Sequence, residues 1–264
     1  MYAFTYHKAE SVADAAAKVA SADDGVLMAG GMTLLPTMKQ RLAQPSDVVD
    51  LGGVASLAGI SVTAETVSIG AMTTHDAVAN SAEVKQAIPA LASLASSIGD
   101  PMVRNRGTIG GSIANNDPAA DYPGAVLGLG ATVVTDKRSI PGDDFFQGMF
   151  ETALEPGEII QRIDFPIPKK AAYVKFPNPA SRYAIVGVMA AETASGVRVA
   201  VTGAGPCAFR ETAMETALAG NFSPSALDGV TVSPDGLNAD IHASAVYRAH
   251  LIGVMAKRAV AACG

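Results

Sequence analysis

Two pairs of adjacent glycines constrain what this sequence can fold into more than any other feature. Each pair follows an apolar stretch and leads into small hydroxyl residues, the first in residues 29–34 (AGGMTL) and the second in residues 107–112 (GTIGGS). A strand that stops at two glycines and opens a helix leaves several backbone N–H groups unpaired and pointing the same way. Because glycine has no Cβ, a bulky anion can come within hydrogen-bond distance of those groups. Together the turns predict a site for the diphosphate of a cofactor, and two ordinary tight turns are the alternative.

A third glycine pattern, GAGPCA at residues 203–208, imitates the dinucleotide fingerprint GxGxxA after a predicted strand. Pro206 removes an N–H where a pyrophosphate needs one, and no acidic residue ends a second strand about twenty residues later. We therefore interpret this segment as a structural turn. The phosphate-binding pattern GxxxxGK[ST] does not occur in the sequence, which argues against a nucleoside triphosphatase.

The charge pattern excludes a general nucleic-acid binder. The net charge is −6, and Lys and Arg form no cluster that could neutralise phosphates. Charged residues make up only 17% of the chain, against roughly 25% in an ordinary soluble domain. This shortage has two explanations that we leave open: a large core, or a surface that partner subunits cover.

The residue inventory places metal chemistry outside this chain. The two cysteines, Cys207 and Cys263, cannot ligate an iron–sulfur cluster, and the four histidines have no metal-ligand spacing. No apolar run reaches the ~18 residues of a membrane helix, and the N-terminus does not resemble a signal peptide. We expect no transmembrane segment and a cytoplasmic protein, with the inner face of the membrane as the alternative location.

The order of predicted elements indicates an α+β protein of three lobes, residues 1–60, 61–167 and 168–264. The best boundary is Pro166 and Pro168 followed by two lysines. The predicted helices cover residues 11–21, 33–42, 73–80, 83–98 with a break at Pro89, 123–127, 210–218 and 243–262. The predicted strands cover residues 25–29, 47–51, 59–63, 66–71, 131–135, 159–165, 173–176, 184–192 and 197–203. Residues 107–121 are predicted as a glycine- and asparagine-rich connection.

Two single residues are candidates for chemistry. His75 follows two threonines at a predicted helix start, where a role in local hydrogen bonding is the simpler interpretation. Lys175 alternates with large apolar neighbours on a predicted strand. A solvent-facing lysine is the simpler interpretation there, and a cation directed into a cofactor pocket is the alternative.

Several motifs together resemble one family. They are AGGMT at residues 29–33, TTH at 73–75, IGDPMVRNRGTIGGS at 98–112, NNDPAAD at 115–121 and ASAVYR at 243–248. The chain resembles the FAD-binding medium subunits of molybdenum hydroxylases, the family of the carbon monoxide dehydrogenase medium subunit and the xanthine dehydrogenase FAD-binding subunit. The resemblance implies a vanillyl-alcohol-oxidase-type FAD-binding domain made of the first two lobes. It also implies a C-terminal α+β domain with a three-stranded antiparallel sheet.

The resemblance assigns cofactor-binding residues but no catalytic or metal-binding residue to this chain. Both glycine turns match the family's pyrophosphate-binding segments, Asp121 matches an acid near the adenosine half of FAD, and Lys175 matches a lysine that contacts the isoalloxazine. Met32 and Ser112 depart from the residues that are commoner in the family. The implied cofactor-binding residues are Ala29, Gly30, Gly31, Met32, Thr33, Leu34, Thr73, Thr74, Ile98, Thr108, Gly110, Gly111, Ser112, Asp117, Asp121 and Lys175.

The resemblance also implies partners. A small subunit would carry [2Fe–2S] clusters and a large subunit the molybdopterin centre, assembled as a dimer of heterotrimers. This chain would pass electrons from the clusters through FAD to a quinone, oxygen or a nicotinamide. One alternative is the FAD subunit of a related hydroxylase for purines, aldehydes, heterocycles or aromatic thioesters. The other is a non-enzymatic nucleotide-binding or scaffold protein.

Overall fold

Three β-sheets and one small hairpin organise the chain. The computed structural model of the protein describes residues 1–263. Its strands are β1 (Thr5–Lys8), β2 (Gly25–Met28), β3 (Asp47–Asp50), β4 (Ile60–Val62), β5 (Thr66–Gly70), β6 (Thr132–Thr135), β7 (Ser139–Pro141), β8 (Phe146–Gly148), β9 (Glu151–Thr152), β10 (Ile160–Pro166), β11 (Lys170–Pro177), β12 (Ala184–Thr193), β13 (Gly196–Thr202) and β14 (Phe209–Arg210).

Most of the helices are short, and hydroxyl or carboxyl side chains begin several of them. The α-helices are α1 (Val12–Ser21), α2 (Leu34–Lys39), α3 (His75–Asn80), α4 (Ala82–Ala87), α5 (Pro89–Ser96), α6 (Pro101–Arg106), α7 (Ile109–Asn115), α8 (Tyr122–Gly128), α9 (Thr212–Gly220) and α10 (Ala245–Ala262). Single 3₁₀ turns lie at Leu51–Gly53, Ala55–Leu57, Gly142–Asp144 and Pro224–Leu227. The Oγ atoms of Ser11, Thr108 and Ser244 each accept a backbone N–H in the first turn that follows, which satisfies a donor with no partner inside the helix.

The first two sheets differ in strand direction. The N-terminal sheet has the order β1–β3–β2 and is entirely parallel, so helices α1 and α2 form the crossovers that parallel strands require. The second sheet, β4–β5–β10–β6–β7, is antiparallel. Helices α3 to α8 lie between β5 and β6 in the chain, and many of their apolar side chains share a core with this sheet, with Tyr122, Phe145 and Phe165 fully buried.

The C-terminal sheet joins two cores. Its strand order is β11–β12–β13–β14, and every pair is antiparallel. Alternate side chains of β12 enter different cores: Met189 packs with the helices of the second lobe, and Val188 packs with α9 and α10. Because neither face of β12 is solvated, nearly all of its residues are buried. The three predicted strands are confirmed, and the two-residue β14 adds a fourth at the edge.

Some elements differ from the sequence prediction. The predicted loop at residues 107–121 contains helix α7, and the helix predicted at 33–42 is limited to Leu34–Lys39. The turn at 203–208 is structural, as expected, and it leads into β14 rather than a helix. A Cβ on Gly203 would lie 2.5 Å from the carbonyl oxygen of Ala184, so the turn needs glycine for close packing. The limits of the three lobes stay a prediction.

Two kinds of feature are absent from residues 1–263. None of the helices there is long and apolar enough to span a bilayer. Within the same residues, His, Cys, Asp and Glu side chains form no group of three or more that could hold a metal ion.

Candidate cofactor site

The two glycine turns pack directly against each other. A Cβ built on Gly30 would lie 2.1 Å from the backbone oxygen of Arg106 and 2.9 Å from the Cα of Gly107. A Cβ on Gly111 would lie 3.2 Å from the Cβ of Ala29. These contacts bring together two segments that are almost eighty residues apart in the chain, so the two turns lie side by side.

The first turn presents a continuous row of free donors. From Gly30 to Leu34, five consecutive backbone N–H groups have no hydrogen-bond acceptor among residues 1–263. Gly31 has a φ of 71°, which places the turn in the left-handed region that favours glycine. The hydroxyl of Thr33 lies at the start of α2 but makes no capping hydrogen bond. Successive unpaired amides of this kind form an anion-binding concavity.

The backbone N–H groups of the second turn are hydrogen-bonded within the protein. Gly110 N donates to the oxygen of Ala71 at 2.9 Å, and Ile109 N donates to the oxygen of Thr73 at 3.1 Å. Gly111 N donates to the hydroxyl of Thr108 at 3.1 Å. The expectation that both turns offer free N–H groups therefore holds only for the first. The second turn offers glycines without a Cβ, which would let a ligand come close to its backbone. It also offers the hydroxyl of Ser112, which has no hydrogen-bond partner in the described part of the chain.

Thr73 and Thr74 support the second turn. The Thr73 hydroxyl accepts from Gly59 N and donates to Gly59 O, both at 3.0 Å. Its proton is therefore committed within the protein. Thr74 Oγ1 accepts from Ala77 N at 3.3 Å and so caps α3. These hydrogen bonds hold the segment after β5 in place, and the oxygens of Ala71 and Thr73 in that segment accept from the first amides of α7.

The interpretation of His75 as a partner in local hydrogen bonds is wrong, because its buried Nδ1 has no hydrogen-bond partner among residues 1–263. Its ring is buried, and this burial is the main reason that its pKa is lowered to about 4, with a smaller effect from the positive charge of Arg104. The imidazole is therefore neutral near pH 7. The ring centroid lies 5.3 Å from that of Tyr122. A Cβ on Gly107 would lie 2.6 Å from the His75 Nε2, so His75 is one reason for glycine at the start of the second turn.

A buried ion pair lies beyond the other end of α7. Lys175 Nζ is 3.0 Å from Asp121 Oδ2, and the two side chains are 7% and 5% exposed. Tyr173 also donates its hydroxyl proton to Asp121. Burial raises the pKa of Asp121, and Lys175 and Tyr173 offset part of that effect by favouring the charged carboxylate.

This contact changes the interpretation of both residues. Groups that touch cannot lie at the adenosine half and at the isoalloxazine of one extended FAD, so the assignment to opposite ends does not fit the structure. Lys175 also donates to the backbone oxygens of Ser97 and Arg182, each at 3.0 Å. All three of its protons are therefore used within the protein, and the ammonium is not a free cation.

Helix α7 connects the free amides to the ion pair. Its seven residues span about 10 Å at 1.5 Å per residue. Gly111, Ser112 and Asn115 are partly exposed along it, which leaves a path on the surface between the two ends.

Of the remaining predicted residues, Asp117 accepts from Ala119 N at 2.9 Å. Ile98 packs against the core of the second lobe.

Two cavities flank this end of the path and share Asn178 in their walls. The basic cavity, of about 520 Å³, is lined by Arg104, Lys175 and Arg182 together with three serines. The aromatic cavity, of about 430 Å³, is lined by Asp117 and Tyr183 with residues of the C-terminal lobe. The basic cavity borders the buried ion pair through Lys175, and clefts between lobes are common places for ligand sites.

Sequence reasoning missed several residues of this region. Tyr173 stands two residues before Lys175 on β11, and residues at that spacing share a face of a strand. This period of two was a usable signal. Tyr183 had none, because its contribution depends on how the lobes meet.

Comparison with known proteins gives one consistent family. Residues 2–168 match the family described as the FAD binding domain in molybdopterin dehydrogenase. The carbon monoxide dehydrogenase medium chain of Hydrogenophaga pseudoflava is 35% identical, over 97% of this chain and 96% of the relative. The nicotine 6-hydroxylase medium subunit of Paenarthrobacter nicotinovorans is 34% identical, over 99% of this chain and 98% of the relative.

A solved structure has the same fold. A chain of Hydrogenophaga pseudoflava carbon monoxide dehydrogenase, in a form that lacks the Mo-pyranopterin moiety, superposes with a TM-score of 0.90. It is 35% identical and covers 99% of this chain and 97% of its own length. These matches confirm the predicted resemblance and favour the flavoprotein over the non-enzymatic scaffold. The chain therefore belongs to the family of FAD-binding domains of molybdopterin dehydrogenases and is an oxidoreductase subunit.

Proposed function

We propose that this chain carries FAD in a molybdenum hydroxylase of the carbon monoxide dehydrogenase type, and passes electrons from a partner's iron–sulfur clusters to an external acceptor. The observation that carries the proposal is the row of five free backbone N–H groups from Gly30 to Leu34. Such a row suits a diphosphate, because each N–H can donate to a phosphate oxygen without a side chain in between.

Three parts of the site support the proposal of FAD as the cofactor. When bound, FAD supplies the transfer of one or two electrons. The first turn would hold the diphosphate, and the exposed side of α7 would support the chain of the cofactor between its ends. The Lys175–Asp121 pair would form a rigid wall at one end, because both groups are buried and fully hydrogen-bonded.

Electrons must enter from another polypeptide. Residues 1–263 provide no cluster of metal ligands, and the relatives are medium chains or subunits of larger enzymes. We propose a small [2Fe–2S] subunit and a large molybdopterin subunit as partners, assembled as a dimer of heterotrimers. The mass of the complex purified from the native host, with its iron, molybdenum and FAD content, tests this composition.

The proposed diphosphate site has a matched pair of variants. Gly31 and Gly157 both have a φ of 71°, so alanine meets the left-handed region at each, and at Gly31 its Cβ would also lie 3.0 Å from Leu35 Cδ1. A Cβ on Gly157 would meet nothing closer than 3.8 Å, and Gly157 lies outside the first turn. We expect Gly31→Ala to lose most of its FAD and Gly157→Ala to keep it, as measured by flavin absorbance per chain in the purified complex. Equal FAD content in the two variants would contradict the assignment.

The substrate is proposed from the relatives. Carbon monoxide is the first candidate substrate, because the carbon monoxide dehydrogenase medium chain matches this chain in sequence and in structure. A heterocycle is the second candidate, because the nicotine 6-hydroxylase subunit is nearly as similar. Reduction of the purified complex by carbon monoxide, by nicotine or by neither distinguishes the two candidates through bleaching of the flavin absorbance.

A further inference from the structure

Tyr173 completes the hydrogen bonding of the ion pair at the end of the FAD path. Its hydroxyl donates to Asp121 Oδ1, and Lys175 Nζ donates to the other carboxylate oxygen at 3.0 Å. Tyr173 and Lys175 both line the basic cavity. The tyrosine hydroxyl, the carboxylate and the ammonium therefore form one network beside that cavity.

A glycine in the middle of strand β12 makes room for the hydroxyl. Gly187 lies opposite Lys175 in the register of β11 and β12. Diagonal neighbours on paired strands lie on the same face of the sheet, so Tyr173 reaches over Gly187. A Cβ on Gly187 would lie 2.2 Å from the Tyr173 hydroxyl oxygen and 2.9 Å from Thr202 Cγ2. We call this space the Gly187 notch, and any larger residue at position 187 would displace the hydroxyl.

Nothing in the backbone of β12 requires a glycine at this position. Gly187 is not among the glycines with a positive φ. Its neighbours Val186 and Val188 are fully buried and are typical of a central strand. A glycine in a strand interior weakens the strand and often marks a place where another group comes close. The close group here is the Tyr173 hydroxyl, so the notch and the hydrogen bond to Asp121 belong together.

The hydroxyl is one of only two donors to the Asp121 carboxylate among residues 1–263. Asp121 is 5% exposed, and each of its oxygens accepts from one group, Tyr173 or Lys175. A buried carboxylate that lacks a donor is costly in its charged form. Loss of the hydroxyl therefore disfavours the ionised carboxylate, and with it the ion pair to Lys175.

The groups around Asp121 differ in how they respond to pH. Burial, together with nearby carboxylate charge, raises the pKa of each surrounding tyrosine, so all of them stay protonated near neutral pH; they are Tyr122, Tyr173 and Tyr183. The other charged groups that line the two cavities beside the network are Arg104, Asp117, Lys175 and Arg182. Burial raises the pKa of Asp121, so it takes up a proton at a higher pH than an exposed aspartate. The hydrogen bond from Tyr173 opposes that uptake.

We propose that Tyr173 is a positioning residue, seated in the Gly187 notch, that keeps the Asp121 carboxylate charged and aligned with Lys175 at the end of the FAD path. The inference rests on the proposed function, in which the ion pair forms a wall of that path. Tyr173 acts through Asp121 and not by contact with FAD. Without its hydroxyl, Asp121 takes up a proton at a higher pH, and the ammonium of Lys175 loses its charged partner.

Release of FAD on acidification tests this role without turnover. The purified complex is titrated from pH 8 to pH 4, and released FAD is measured by its fluorescence. We expect Tyr173→Phe to raise the midpoint pH of release by about one unit, which corresponds to a tenfold loss of preference for the ionised carboxylate. The matched control is Tyr122→Phe, because the buried Tyr122 hydroxyl has no hydrogen-bond partner among residues 1–263. Its midpoint should equal that of the unmodified complex.

Two results would overturn the proposal. One is a midpoint for Tyr173→Phe equal to that of the unmodified complex or of Tyr122→Phe. The other is a shift that only follows an equal shift of the unfolding transition, measured by circular dichroism on the same samples, because such a shift shows a purely structural role.

A second variant removes the same hydrogen bond from the neighbouring strand. Gly187→Ala fills the notch, so we expect it to raise the midpoint pH of release as Tyr173→Phe does. The double variant should shift the midpoint no further than the larger single shift, because both changes remove one hydrogen bond. Gly128→Ala controls for overpacking, since its Cβ would meet Met189 Cγ at 2.4 Å in the same core, and it should leave the midpoint unchanged. Additive shifts, or an equal shift in Gly128→Ala, would overturn the role of the notch.

The FAD content of the unmodified complex separates this inference from the proposed function. A complex that holds no FAD would contradict the proposed function. A complex that holds FAD and releases it at the same pH with and without the Tyr173 hydroxyl would contradict the role of Tyr173 alone.

Discussion

Lys175 is a residue whose simpler interpretation from the sequence, a solvent-facing lysine, is wrong, because its side chain is only 7% exposed. The period of strand β11 and the family resemblance predicted a cation near the cofactor. The structure adds that its three protons are donated to Asp121 and to two backbone oxygens. The oxygens come from Ser97 and Arg182, which no local pattern associates with Lys175. A buried ion pair therefore replaces the free cation, and stability becomes the first quantity to test.

Replacement of Lys175 by methionine should destabilise the chain. It leaves Asp121 buried and without its charged partner, and breaking a buried pair in this way costs about 3–5 kcal/mol. We expect urea unfolding of Lys175→Met to show that loss, and Lys175→Met with Asp121→Asn to recover most of it. A Lys175→Met variant as stable as the unmodified chain, with a changed flavin potential, would instead favour the tuning role.

Glu158 gives a pH dependence at the residue scale. Its side chain is fully buried. Burial alone would raise its pKa, but hydrogen bonds from Arg138, Glu155 N and Thr135 outweigh that effect and lower the pKa from 4.5 to about 2. Because the pKa of Glu158 is lower in the folded than in the unfolded chain, its ionised form stabilises the fold by about 3 kcal/mol above pH 4.5. This contribution is lost as the pH falls to about 2.

The matched variant isolates that contribution. Glu158→Gln cannot ionise, so we expect the free energy of unfolding of the unmodified chain to fall by about 3 kcal/mol more than that of the variant between pH 5 and pH 2. Chemical unfolding at several pH values measures both curves. Parallel curves would mean that the pKa of Glu158 in the folded chain is close to its ordinary value.

At the scale of elements, the two glycine turns look alike in sequence and differ in structure. The first ends a parallel strand, and its amides extend beyond the sheet with no partner. The amides of the second are donated to Ala71, Thr73 and Thr108. Two of these acceptors lie more than thirty residues earlier, so spacing alone could not distinguish a turn with free donors from one that is internally paired. Nine of the fourteen strands and most helices were predicted because their apolar periods are local, whereas the short strands β1, β7, β8, β9 and β14 were not predicted.

This difference separates the effects of two neighbouring glycines. A Cβ on Gly110 would lie 2.5 Å from the Cβ of Ala71 and 2.7 Å from its oxygen, whereas the closest atom to a Cβ on Gly111 is Thr108 Oγ1 at 3.0 Å. We expect Gly110→Ala to lower the free energy of unfolding by about 1–3 kcal/mol through overpacking. Gly111→Ala should cost less stability and lose more FAD. Denaturant curves and flavin content measured on both variants check the ranking, and the reverse order would contradict it.

At the scale of the whole molecule, the ion-pair end of the candidate site depends on the C-terminal lobe being fixed on the second lobe. Lys175 and Tyr173 come from β11, and Asp121 comes from the start of α8. Polar contacts hold the two lobes together in addition to the shared core. Thr202 Oγ1 donates to Ala120 O at 2.6 Å, next to Asp121. Arg198, on β13, donates through Nε to Leu127 O at 2.7 Å and through Nη2 to Asp143.

Arg198 therefore gives a test of coupling between the lobes. Its side chain is 11% exposed, and Asp143 also pairs with Arg210 at 3.3 Å. We expect Arg198→Met to leave the carbonyl of Leu127 without its donor and to lower the free energy of unfolding by about 2–4 kcal/mol. Hydrogen exchange should speed up first at β13 and at α8, with β1 to β3 unchanged. An equal increase at all three sheets would instead indicate global destabilisation, because a coupling between two lobes is lost only where they meet.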